Sequence, residues 1–295
     1  MAIRRRWLGL LCVAAFLVCC LSATPDDQAE SRSIAFVSRR DGNDELYLIK
    51  ADGSGLQRLT DTPKDEESPA WSPDGSQLVY VLRETQRNCD IWTMMSESGA
   101  KGEPLVVGPA NDIEPAWSPD GQSVAFASNR DGDLEIYVLS VEDGALRQLT
   151  RNRGIVDESS TWSPDGEHIA FSTSRDGGWE IYRMRSDGTE PLRLTYTERP
   201  EFLPAWSPDG SRIAFVAEGD GNPEIYTMQL DGTDVRRLTH SRGVDSAPCW
   251  SPDSARVAFV SNRNGNNDIY VMDADGSNVT QLTTDPGDDT SPAWY

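Results

Sequence analysis

Carboxylates recur through this sequence at fixed distances from tryptophan, and no other residue type repeats in a pattern so suited to chemistry. One series stands five positions before each of six tryptophans: Glu66, Asp112, Asp157, Glu201, Asp245 and Asp289. If these residues ring one opening, they offer the clustered oxygen ligands that a hard cation such as calcium takes. A sixfold repeat equally suits a structural part, in which each carboxylate accepts bonds from neighbouring backbone or an arginine. A second acidic series comprises Glu45, Asp90, Glu135, Glu180, Glu224 and Asp268. Arg40, Arg130, Arg175 and Arg263 stand opposite four of its members, an arrangement that predicts cross-strand ion pairs. Glu84 and Gly219 occupy the arginine position in the other two repeats, so Asp90 and Glu224 are expected to lack that partner, with Arg83 or Arg87 as a substitute for Asp90.

Nucleophilic and histidine chemistry find little support. No Gly-x-Ser-x-Gly elbow occurs, and the two histidines, His168 and His240, stand far apart in the repeat. Cys89 falls in an expected loop, whereas Cys249 replaces the alanine of a repeated Pro-Ala-Trp and reads as a small core residue. The two lie in different repeats, which argues against a disulfide between them. The enzyme alternative is a hydrolase or lyase that acts on a small molecule or glycan through a carboxylate-bound cation.

The elements that must position these groups are set by a repeat. Trp71-Ser72-Pro73-Asp74-Gly75 recurs at Trp117, Trp162, Trp206 and Trp250, and Trp294 repeats the lead-in, at spacings of 46, 45, 44, 44 and 44 residues. A strand-like run follows each of the first five, as in Val124-Ala125-Phe126 and Ile213-Ala214-Phe215. A third strand carries Tyr47, Trp92, Tyr137, Tyr182, Tyr226 and Tyr270, and a fourth ends in runs such as Arg193-Leu194-Thr195. Four short strands per period of about 40–45 residues predict an all-β propeller with one four-stranded sheet per blade. Asp-Gly pairs supply its tight turns. The run Ile34-Ala35-Phe36 has no tryptophan strand before it, and Ser291–Tyr295 provides one without a following repeat. The last strand should therefore complete the first blade, giving six blades over residues 34–295 with no free edge at the seam.

Arg4, Arg5 and Arg6 precede an apolar run, Trp7–Val18, so residues 1–23 read as an export signal and 24–33 as a short linker. Ser22 suits an ordinary signal-peptidase site. Leu17-Val18-Cys19-Cys20 resembles a bacterial lipobox, in which Cys20 would carry the lipid. Periplasmic, lipid-anchored and secreted destinations all remain open at this point. A formal charge of −21 opposes nucleic acid and favours a basic or mixed protein surface.

The string Pro-Ala-Trp-Ser-Pro-Asp-Gly, Val124-Ala125-Phe126, Ser128-Asn129-Arg130-Asp131-Gly132, Glu135-Ile136-Tyr137, then an Arg-Leu-Thr strand end, resembles the TolB-type propeller repeat. The resemblance implies a propeller and extends over residues 34–295. TolB carries a further N-terminal domain, for which the ten or so residues between signal and Ile34 leave no room, so a propeller alone is expected. The repeat also occurs in envelope scaffolds and in propellers joined to peptidases, so it marks fold more than function.

Strand alternation puts the second-strand turns and the inter-blade crossovers on one face, where variable loops on a rigid frame usually bind. Apolar residues gather there around blades three to five: Ile113, Ile155, Val156, Trp179, Tyr196, Phe202 and Leu203. Trp179 and Phe202 are the expected anchors for a monomeric propeller that binds a protein in the cell envelope, with Glu224 an unpaired charge beside them.

Overall fold

A computed structural model of the chain describes residues 33–85, 88–96, 102–219 and 221–295. The segment expected to be an export signal, with Cys20, the expected linker up to residue 32, and Arg87 lie outside the described residues. Among the described residues, twenty-four strands form six four-stranded antiparallel sheets. Blade 1 orders Asp289–Trp294, Ser33–Ser38, Glu45–Lys50 and Gln57–Arg58 from the inside outward. Ile34 pairs with Trp294 and Ser38 with Asp289, so the last strand closes the ring as expected.

Local chemistry accounts for each corner. In Ser72-Pro73-Asp74-Gly75 the Asp74 carboxylate accepts from Ser76 N at 3.1 Å and from Ser72 Oγ at 2.7 Å, while Gly75 takes φ 70°. That left-handed conformation favours glycine. Outer strands are only two to four residues long. They are anchored by the threonine that follows Arg-Leu or Gln-Leu: Thr60, Thr150, Thr195, Thr239 and Thr283 each accept a third-strand N–H at 2.8–2.9 Å.

The core lies between blades, not within them. Phe36 and Tyr47 of blade 1 pack on Val260 and Ile269 of blade 6, and each other interface repeats this pattern. The repeat tryptophans tie neighbours together: Trp71, Trp162 and Trp250 donate their indole N–H to Ala293, Ala116 and Ala205 of the preceding blade at 3.0–3.2 Å. Cys89 is buried in the third strand of blade 2, Asn88–Met95, and not in a loop. Cys249 is half-buried at the blade 6–blade 1 contact, and both thiols are free.

Candidate functional site

The first acidic series does not ring an opening. All six carboxylates are buried, at most 1% exposed. Four of them bind the repeat arginine. Arg40 reaches Asp289 at 2.9 Å, Arg130 reaches Asp112 at 2.7 Å, Arg175 reaches Asp157 at 3.2 Å and Arg263 reaches Asp245 at 2.8 Å. These arginines therefore serve the first series, not the second as the hairpin spacing implied. The guanidinium reaches back across two strands because its Nε is held by a hydroxyl two residues earlier, as Arg130 by Ser128 at 2.8 Å.

Members of the second series take their partners from the fourth strand. Arg58 binds Glu45 at 2.9 Å, Arg193 binds Glu180, and Gln281 binds Asp268 at 2.9 Å. Glu224 is not unpaired: Arg237 holds it at 2.9 Å. Asp90 accepts from Gly108 N at 3.1 Å, and Arg83 binds Glu67 at 2.8 Å instead.

Blades 2 and 5 lack the arginine, and there the first-series residue is the longer Glu66 or Glu201, bonded to a crossover hydroxyl, Thr62 or Thr197. Burial, with the carboxyl of the preceding blade alongside, pushes Glu66 up to about 8 and Glu201 up to about 7. All six carboxylates are thus buried and four are neutralised by arginine, while the Oε2 atoms of Glu66 and Glu201 meet no donor among the described residues. Two other acidic groups come together among the described residues, Asp165–Glu167–His168 and Asp44–Asp65–Glu67. Arg39 and Arg83 already bind Asp44 and Glu67.

A different position faces the axis. Ser68, Glu114, Ser159, Leu203, Ala247 and Ser291, with Pro69, Pro115, Pro204, Pro248 and Pro292, line an open central cavity of about 330 Å³. Every first strand bulges at this point, and the six residues take φ between 48° and 55°. A bulge breaks the two-residue alternation and re-aims the side chain. Glu114 accepts from Ser159 N at 2.7 Å, and burial raises its pKa. Glu158 is pushed up to about 7, by burial first and then by the charge of Glu114. Neither glutamate belongs to a repeated acidic series, so the repeat gave no signal for them.

The expected anchors do converge around blade 4. Ser174 N donates to Val156 O at 3.0 Å, and Glu201 N donates to Trp179 O at 2.8 Å. The loop between Ser174 and Trp179 is thereby stitched to Ile155–Val156 on one side and to Phe202–Leu203 on the other. Trp179, Ile155, Val156 and Phe202 are half-buried, not fully exposed. Phe202 packs partly against the blade 5–blade 6 core, and Leu203 turns into the central cavity. Tyr196, 71% exposed, is the most accessible large aromatic on this arc.

A family model described as the TolB beta propeller domain matches residues 106–203 and 200–295, about two-thirds of the chain. The chain belongs to the TolB β-propeller family. A Tol-Pal system protein TolB from Desulfosudis oleivorans is 35% identical over 133 residues, covering 42% of this chain and 28% of that protein. The match thus spans little more than a quarter of the relative's length. Among solved structures, TolB from Acinetobacter baumannii superposes with TM-score 0.81 at 27% identity, over 90% of this chain and 67% of that one. A putative TolB from Agrobacterium tumefaciens gives TM-score 0.72 at 27% identity, over 86% and 89%. These TolB propellers share the ring described above.

Proposed function

We propose that this TolB-family propeller is an exported, non-catalytic scaffold that binds a protein partner in the bacterial envelope through its crossover face. One observation carries the reading: backbone bonds, from Ser174 N to Val156 O within blade 4 and from Glu201 N to Trp179 O between blades 5 and 4, tie Ile155–Val156, Trp179 and Phe202 into one apolar arc, with the exposed Tyr196 in the same crossover as Phe202. Half-buried aromatics on a rigid frame bind with little loss of conformational entropy. The resemblance to Tol-Pal system proteins supplies the envelope setting, and the acidic surroundings favour a basic or mixed partner surface. Envelope cross-linking in the native cell, followed by measurement with the purified partner, tests the proposal. Replacing Trp179 and Tyr196 together by alanine should weaken binding at least tenfold with an unchanged melting temperature. Wild-type affinity in the double variant would refute the assignment of this face.

A further inference from the structure

Four blades of this propeller build the same receptor for one guanidinium. Arg40, Arg130, Arg175 and Arg263 each lie over a Phe–Tyr pair, with the guanidinium carbon 4.5–4.8 Å from the tyrosine centroid. Each donates to the first-strand aspartate, and its Nε is fixed by Ser38, Ser128, Thr173 or Ser261 at 2.7–3.0 Å. A planar cation between aromatic faces and a carboxylate gains both cation–π attraction and a charge-assisted hydrogen bond.

Blade 5 keeps the receptor and lacks the guest. Phe215 and Tyr226 stack at 5.8 Å, as their counterparts do, and Glu201 supplies the carboxylate. Gly219 stands where the arginine would be, and Ala217 where its hydroxyl anchor would be. Blade 2 lacks its arginine too, but there Leu82 takes the Ala217 position, is 7% exposed and packs with Tyr80. Ala217 is too small to do this. The result is a cavity of about 410 Å³ lined by Phe215, Tyr226, Ala217 and Glu201, with Tyr196 and Arg199 at its rim. Glu201 is 1% exposed, and its Oε2 meets no hydrogen-bond donor among the described residues. Arg199 does not supply one, since its guanidinium donates to the carbonyls of Glu218 and Gly219 at 3.0 and 2.9 Å.

We propose that the pocket between blades 4 and 5 receives an external guanidinium, stacked on Phe215 and Tyr226 and neutralised by Glu201. The argument rests on the four occupied blades and stands whether or not the crossover arc is the docking surface. The guest is either an arginine side chain presented by a protein or a free guanidino compound. Glu201 must be ionised to hold it, and burial with Glu180 alongside keeps the glutamate protonated up to about 7. The charged groups facing it are Glu180 with Arg193 from blade 4, Glu224 with Arg237 beyond Ala217 in its own sheet, and Arg199 and Glu218 at the rim. Binding should therefore strengthen as pH rises from 6 to 8 and release a proton.

Calorimetric titration of the purified chain at pH 8 with a capped Gly-Arg-Gly peptide, its citrulline analogue and free arginine tests this. The arginine peptide should bind at least tenfold more tightly than the citrulline peptide. Ala217→Leu, which copies blade 2, should abolish that binding without lowering the melting temperature, and Glu201→Gln should erase the preference for arginine over citrulline. A peptide that outbinds free arginine points to a protein guest, and the reverse to a small molecule; both support the pocket. No binding by the wild type, equal binding of the arginine and citrulline peptides, or full binding in Glu201→Gln overturns the proposal. The glutamine variant keeps the test valid should Ala217→Leu fail to fold. Full partner binding by the Trp179 and Tyr196 double variant, with arginine binding by the wild type intact, would sink only the crossover-face reading.

Discussion

Deleting Ser291–Tyr295 should open the ring. The deletion removes Trp294, which is 8% exposed and lies under the Arg256 guanidinium at 5.0 Å. It removes the Ala293 carbonyl that accepts the Trp71 indole N–H at 3.0 Å, and the Tyr295 N–H that bonds Ser33 O at 3.0 Å. Tyr295, whose ring centroid is 5.4 Å from that of Trp71, is lost as well. A buried tryptophan costs about 3–5 kcal/mol on truncation, and each hydrogen bond about 1 kcal/mol more. The sum, roughly 5–7 kcal/mol, is a large part of the about 5–15 kcal/mol that holds a typical domain. At about 2–4 °C per kcal/mol for a chain of this size, the melting temperature should fall by about 10–28 °C. Differential scanning calorimetry reads this directly, and Trp294→Ala alone should give more than half of the shift. A truncated chain that melts with the wild type would show that the seam contributes nothing, and the closed-ring account of stability would be wrong.

Acidification should stabilise the fold across the neutral range. Glu66 (about 8), Glu135, Glu158 and Glu201 (each about 7) and Asp268 (about 6) are all raised, with burial the largest cause in each. An acid whose folded pKa exceeds its unfolded value keeps its proton in the fold, so stability is lost as pH climbs from about 5 to 8. Melting curves across that range should slope downward with pH, and Glu66→Gln with Glu201→Gln should flatten them; a rising slope in the wild type contradicts the assigned burial. Arg263→Ala strands the fully buried Asp245 and should cost about 3 kcal/mol in urea unfolding. Arg236→Ala, by contrast, removes an exposed pair with Asp234 and should leave the urea midpoint nearly unchanged. Phe202→Ala should lower stability as well as binding, because part of its ring packs on the blade 5–blade 6 core, which a thermal melt run beside the binding assay will separate.

The repeat alone determined the blade number, the strand count per blade, the seam and the family. The reason is that each blade must meet the same requirements: a tryptophan against the preceding blade, a threonine to anchor the outer strand, a glycine or its equivalent at φ near 70°. Periodicity exposes each such demand five or six times over. It could not decide where the carboxylates point. Spacing made Glu66 to Asp289 look like an open ring, because a regular strand alternates its faces every two residues. Only the fold contains the bulge at Ser68, Glu114, Ser159, Leu203, Ala247 and Ser291, which interrupts that alternation and gives the axis to other side chains. No residue type announces it, since these positions hold serine, glutamate, leucine and alanine, none of them a glycine. Arginine partners were misassigned for a related reason: sequence distance favours the hairpin neighbour, while a long guanidinium stem reaches whichever buried charge most needs neutralising. The departures at Gly219 and Ala217 were visible as letters. That they leave a pocket, where Leu82 closes the matching space in blade 2, follows only from packing volumes, which a sequence does not carry.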